Sequence, residues 1–102
     1  MRSLRGHAEL RRFAAAMLRT LNTPRNRAKG QLARVPLHVS RKKLSEEVEE
    51  LKEAVDHAYS CGDDTEAKSR RLKEVEAEAV DVGNCALLLH CEARRLRREL
   101  QR

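Results

Sequence analysis

Two acidic runs in this chain have the residue types and spacing to bind a hard cation. They are Glu46-Glu47-Val48-Glu49-Glu50 and, about one helical hairpin later, Glu78-Ala79-Val80-Asp81. At roughly 100° per residue, Leu44, Val48, Leu51, Val55 and Ala58 recur as one apolar face. Glu46, Glu47 and Glu50 fall on a flank of that face, with Glu47 nearest its edge, and Glu49 and Glu53 point further away. On the next helix Val75, Val82, Cys85, Ala86, Leu89 and Leu96 form an inward stripe that contains Glu78 and is bordered by Asp81. A buried carboxylate without a partner is costly and tends to protonate. A divalent cation shared between the two helices would neutralise the group. Oxygen ligands without a Cys/His set favour Mg2+ or Mn2+ over zinc.

The elements that must position these groups all read as helix. Residues of about 5–22 carry Leu10, Phe13, Ala14, Met17, Leu18 and Leu21 at helical intervals, and Asn22-Thr23-Pro24 ends that segment because proline restricts the residue before it. A basic connection of about 14 residues follows, a length usual for functional or mobile loops. The second helix is expected within 37–60, with Ser40 as a possible cap. Gly62 permits a positive φ in the turn after it, and Asp64 or Thr65 can cap the third helix, expected over 66–98. Residues 99–102 form a basic tail. Val80, Leu87, Leu88 and Cys91 make a second apolar strip on that third helix, opposite the first. A helix apolar on both faces is usually buried on both, which leads to the expectation of a homodimer or higher homo-oligomer completing a four-helix bundle.

The whole chain of 102 residues is expected to be one all-α domain, with 1–36 as its basic N-terminal helix and loop. Its net charge of +6 is segregated: residues 1–43 hold twelve Lys/Arg against one acid, 44–93 five against fourteen, and 94–102 five against one. Basic flanks around an acidic centre suit a polyanionic small molecule bound through a cation. They also suit nucleic acid, but with one Tyr, one Phe and no Trp there is little to stack on bases, and nucleic acid is not favoured. No apolar run approaches the roughly 20 residues of a membrane span. Cys61, Cys85 and Cys91 are odd in number without a CxxC pair, as in a reducing compartment, so a cytoplasmic location is expected. His7, His38, His57 and His90 lack ligand spacing and read as surface or packing residues.

Lys43-Leu44-Ser45-Glu46-Glu47-Val48-Glu49-Glu50-Leu51 followed by Glu78-Ala79-Val80-Asp81-Val82-Gly83-Asn84 resembles the MazG-like nucleoside triphosphate pyrophosphohydrolases, an all-α family with EExxE on one helix and ExxD on the next. Asn26-Arg27-Ala28-Lys29-Gly30 also looks like the N-x-x-K-G stretch of small phage and bacterial members. The resemblance spans about residues 13–95. It implies Mg2+-dependent hydrolysis of a nucleoside triphosphate to the monophosphate and pyrophosphate. The metal ligands it implies are Glu46 or Glu47, Glu50, Glu78 and Asp81, with Glu46, Glu47 and Glu50 as the catalytic carboxylates. Asn26 and Lys29, with Arg27 or Lys43, would hold the triphosphate, and Asn84 the base or ribose. Gln31-Leu32 stands where small members have an aromatic. A phage-encoded member would act in the host cytoplasm. The alternative is a non-catalytic helical module that binds a protein or nucleic acid through its basic segments.

Overall fold

The computed structural model describes residues 4–23 and 35–101. They form three helices and, among the described residues, no strand: α1 is Leu4–Leu21, α2 is Leu37–Ser60 and α3 is Thr65–Leu100. Asn26, Arg27, Lys29 and Gly30 lie outside the described residues. Helix α1 closes with Asn22 N–H donating to the Leu18 carbonyl at 2.9 Å and the Thr23 hydroxyl to the Thr20 carbonyl at 3.0 Å.

The boundaries follow from local chemistry. Helix α2 begins at Leu37, with Pro36 at the N-cap position (φ −54°, ψ 145°) and no capping side chain. Ser40 is therefore not the cap; it lies in the first turn, buried, with its backbone N–H bonded to the Pro36 carbonyl. Proline reaches the extended entry geometry by its own ring constraint. The turn uses Gly62 at φ 77°, in the left-handed region where glycine carries no Cβ penalty. Asp64 then caps α3, accepting from Glu66 N–H at 3.0 Å and Ala67 N–H at 3.2 Å.

Helices α2 and α3 form an antiparallel hairpin, and α1 lies against α3. Helix α3, with 36 residues, is about 54 Å long at ~1.5 Å per residue and sets the 58 Å long axis of the molecule. Its last turns, with Arg94, Arg95, Arg97 and Arg98, extend past the start of α2, which has 24 residues.

The buried stripe of α2 is Ser40, Glu47, Ala54 and Ala58. That stripe is turned by roughly 60° from the one expected through Leu44, Val48, Leu51 and Val55, which are only half-buried. Small side chains let α2 approach α3 closely, and Glu47 comes with them into the seam. On α3 the buried residues are Val80, Asn84, Cys85 and Glu92, while Ala86 is exposed. Val80 belongs to the second apolar strip, and α1 meets α3 at that face. A Cβ at Gly83 would lie 2.9 Å from Phe13 Cζ and 3.4 Å from Met17 Sδ, and Asn84 Nδ2 donates to the Met17 carbonyl at 3.4 Å. The two-sided apolarity of α3 is thus answered partly within one chain, by α2 on one side and α1 on the other. Helix α1 runs antiparallel to α3 and leaves Leu10 and Leu18 exposed, because it touches α3 alone among the helices.

Candidate metal centre

Glu47, Glu50 and Glu78 each offer a carboxylate oxygen, and the three oxygens lie within 4.8 Å of one another. Glu47 and Glu50 are neighbours one turn apart on α2. Helix α3 supplies Glu78 across the seam. A magnesium ion with ligands at ~2.1 Å holds pairs of oxygens about 3 Å apart when adjacent and about 4.2 Å apart when opposite. Oxygens as much as 4.8 Å apart would have to draw together to share one such ion.

Burial separates the three. Glu47 is 7% exposed, Glu78 half-buried and Glu50 at the rim. Glu47 Oε1 is held by Lys43 Nζ at 2.9 Å, and its Oε2, like Glu78 Oε2, is buried without a hydrogen-bond donor among the described residues. Buried acceptors are ordinarily satisfied. Glu92, the other buried acid of α3, shows the usual solution: both of its oxygens are taken by Arg95, with Nε to Oε1 at 3.1 Å. In the seam no such cation among the described residues reaches the second oxygen of Glu47.

The electrostatics follow. Glu50 is raised above the usual 4.5, first by the hydrogen bond it shares with Glu47 when one of the two is protonated, then by the repulsion of Glu47 and Glu78. Burial raises Glu78, and Asp81, Glu47 and Glu74 add to it. Burial also raises Asp81 above 3.8, with Glu47 reinforcing the shift and Lys43 opposing it. Lys43 is raised chiefly by its hydrogen bond to Glu47. The Cys85 thiol is raised by burial and by the charge of Glu47 and Asp81. The site is rich in negative charge, and a bound divalent cation or protons would relieve it.

The structure separates the other expected site residues. Glu46 is exposed and is not one of the three grouped carboxylates. Asp81 stands outside the triad yet close enough to raise Glu78. Asn84 is buried and bonded to α1 through the Met17 carbonyl. Lys43 reaches the triad through Glu47. Asp81 also lines a second feature, an open groove of about 390 Å3 between the C-terminal part of α1 and α3 that Arg19 lines as well. Arg19 carries no signal in the sequence that distinguishes it from its basic neighbours. Among the described residues, no helix is long and apolar enough to cross a membrane. No family model, curated protein or solved structure matches the chain.

Proposed function

We propose that the chain is a divalent-cation-dependent hydrolase that splits a nucleoside triphosphate into monophosphate and pyrophosphate. The observation that carries this reading is the grouping of Glu47, Glu50 and Glu78, with carboxylate oxygens within 4.8 Å of one another, together with a buried Glu47 Oε2 that has no hydrogen-bond partner among the described residues. The MazG-like pattern of the two acidic runs supports it and supplies the substrate class.

In this reading Glu47, Glu50 and Glu78 hold Mg2+ or Mn2+. When bound, the cation neutralises phosphate oxygens and stabilises charge that develops on them. Lys43 fixes the rotamer of Glu47 and stands 60% exposed at the rim, where it can also meet a phosphate. Asp81 lies beside the triad with its proton affinity raised, as a general base requires. Its carboxylate takes the proton of a water whose oxygen bonds to phosphorus. The bond between the phosphoryl group and the leaving pyrophosphate breaks, and pyrophosphate departs.

A second copy belongs to the same reading. No large side chain is fully buried among the described residues, and Leu72 and Tyr59 are exposed. Leu44, Val48, Leu51 and Val55 are half-buried on the flank of α2. Pairing two hairpins into a four-helix bundle would cover that flank. Sedimentation equilibrium measures this directly, and a monomer at all concentrations removes the dimer.

The test of the activity is pyrophosphate release from each common nucleoside triphosphate with Mg2+. Glu47→Gln and Asp81→Asn are expected to abolish release, and chelation of the metal to do the same. Release that persists in both variants would overturn the assignment. Salt-sensitive polyanion binding that survives both substitutions would favour a basic interaction module in its place.

A further inference from the structure

The helix directions gather three basic segments at one end of the molecule. Helices α1 and α2 both run antiparallel to α3, with Phe13 over Gly83, so the starts of α1 and α2 lie toward the end of α3. Helix α3 has 36 residues against 24 in α2, and its last turns run on past α2 as a rod of about 18 Å. Arg94, Arg97 and Arg98 are exposed on that rod, Arg41 and Lys42 on α2 near the point where the rod leaves it, and Arg11 on α1. None of these cations has an ion pair among the described residues. Three acids at this end are already taken: Arg12 holds Glu9, and Arg95 holds Glu92 and Glu99. Glu46, one turn from Lys42, is the acid closest in sequence that has no ion pair among the described residues.

Helix stability does not account for the arrangement. Cations suit the end of α3, where the macrodipole is negative, and acids suit the starts of α1 and α2, where it is positive. Neither start carries an acid in its first turn, and α2 has no capping side chain. The positive ends of two helix dipoles are thus added to the arginines, as at helix termini that bind phosphate. Like charges gathered in this way repel one another, and an external polyanion relieves them.

We infer that this end of the molecule binds the phosphate backbone of double-stranded DNA without reading its sequence. A duplex carries one negative charge per ~1.7 Å of axis, so about ten phosphates pass along the length of the rod. The unpaired cations are arginine except for Lys42, and the planar guanidinium fork pairs with two oxygens of a phosphate. The scarcity of aromatic side chains counts against stacking on single strands and not against a duplex held by its backbone. It also counts against a membrane surface, where basic helices anchor through Trp or Phe; the chain has no Trp, and its one Phe packs at Gly83. None of the six cations belongs to the triad. Hydrolysis and duplex binding are therefore independent, and a pure interaction module is this surface without the activity.

The test is fluorescence anisotropy of a labelled duplex of about 20 base pairs, with the full chain in chelator so that no metal bridges acid to phosphate. The parent is expected to bind two duplexes of unrelated sequence equally, and to weaken by about a hundredfold or more between ~50 and ~200 mM salt. Arg94→Ala/Arg97→Ala and Arg41→Ala/Lys42→Ala are each expected to weaken binding by about tenfold and to lower the salt slope by about two. Arg70→Ala/Lys73→Ala removes the same charge near the other end of α3 and is expected to leave both within about twofold of the parent. All the replaced residues are exposed, and circular dichroism checks that helix content is kept. Equal weakening in all three double variants overturns the surface, because net charge alone then explains the binding. A parent that binds no duplex, or binding indifferent to both variants at the basic end, also overturns it. Preference for the single strand, or for vesicles of phosphatidylserine and phosphatidylcholine, overturns duplex DNA as the partner.

Discussion

Lys43 Nζ stands 2.9 Å from Glu47 Oε1, an exposed ammonium gripping a buried carboxylate one helical turn away. The pair satisfies only one oxygen of Glu47, because Oε2 has no donor among the described residues. The chain thereby carries a built-in cation on Glu47, which would share the charge of that carboxylate with any metal bound there.

That sharing gives opposite signs to two measurements. Lys43→Met is expected to lower stability in metal-free buffer by about 1 kcal/mol, the scale of a partly exposed pair with one buried partner. Mn2+ affinity is expected to rise several-fold in the same variant, because Glu47 is then neutralised by the metal alone. Chemical denaturation and a metal titration read the two effects, and weaker Mn2+ binding in Lys43→Met would make Lys43 a helper in place of a competitor.

Glu46 and Glu47 are chemically identical neighbours that the fold treats differently. Glu47→Gln is expected to erase the rise in melting temperature on adding Mg2+, and Glu46→Gln to leave it intact, since Glu46 is exposed and outside the group of three carboxylates. Equal loss in both variants would place the ion elsewhere.

The pH dependence follows from the raised carboxyls. Glu50, Glu78 and Asp81 bind protons more tightly folded than unfolded. Between the unfolded values, near 4.5 for Glu and 3.8 for Asp, and their raised folded values, the native state holds more protons, so their contribution to stability falls as pH rises. In metal-free buffer the melting temperature is expected to climb on acidification from neutrality toward about pH 5. Mg2+ is expected to stabilise most at neutral pH and least at the acid end. A metal-free curve that falls over the same window would mean that other groups, such as the Lys43–Glu47 pair, dominate.

Gly83 admits α1, with a Cβ there meeting Phe13 at 2.9 Å. Gly83→Leu is expected to lift α1 off α3 while the α2–α3 hairpin persists. Hydrogen exchange should show protection lost across Leu4–Leu21 and retained through the middle of α3. Loss of protection throughout would make α1 integral to the fold.

Cys85 reports on the seam. It is buried and its thiol is raised by burial and nearby negative charge, so alkylation at pH 8 is expected to be much slower there than at Cys61 and Cys91, both half-buried. Thiolate concentration and access both control that rate. Peptide mapping after timed labelling distinguishes the three.

The order of helices was legible in the sequence because helical periodicity, Asp64 and Gly62 act locally. Asp64 needs only one carboxylate oxygen to accept from the N–H groups of Glu66 and Ala67, and Gly62 needs only its missing side chain, so neighbours in sequence suffice to fix both. The two acidic runs were likewise visible as runs. What the sequence could not rank was Glu46 against Glu47, or the bulky stripe of α2 against the small one. Those were decided between helices: the close approach allowed by Ser40, Ala54 and Ala58 rotates α2 and carries Glu47 inward, while Leu44 and Val48 stay at the flank. The docking of α1 on Gly83, the burial of Val80 and the groove that Arg19 and Asp81 line are also tertiary. They depend on which surfaces meet across separations of about sixty residues, and periodicity within one helix carries no information about its partner.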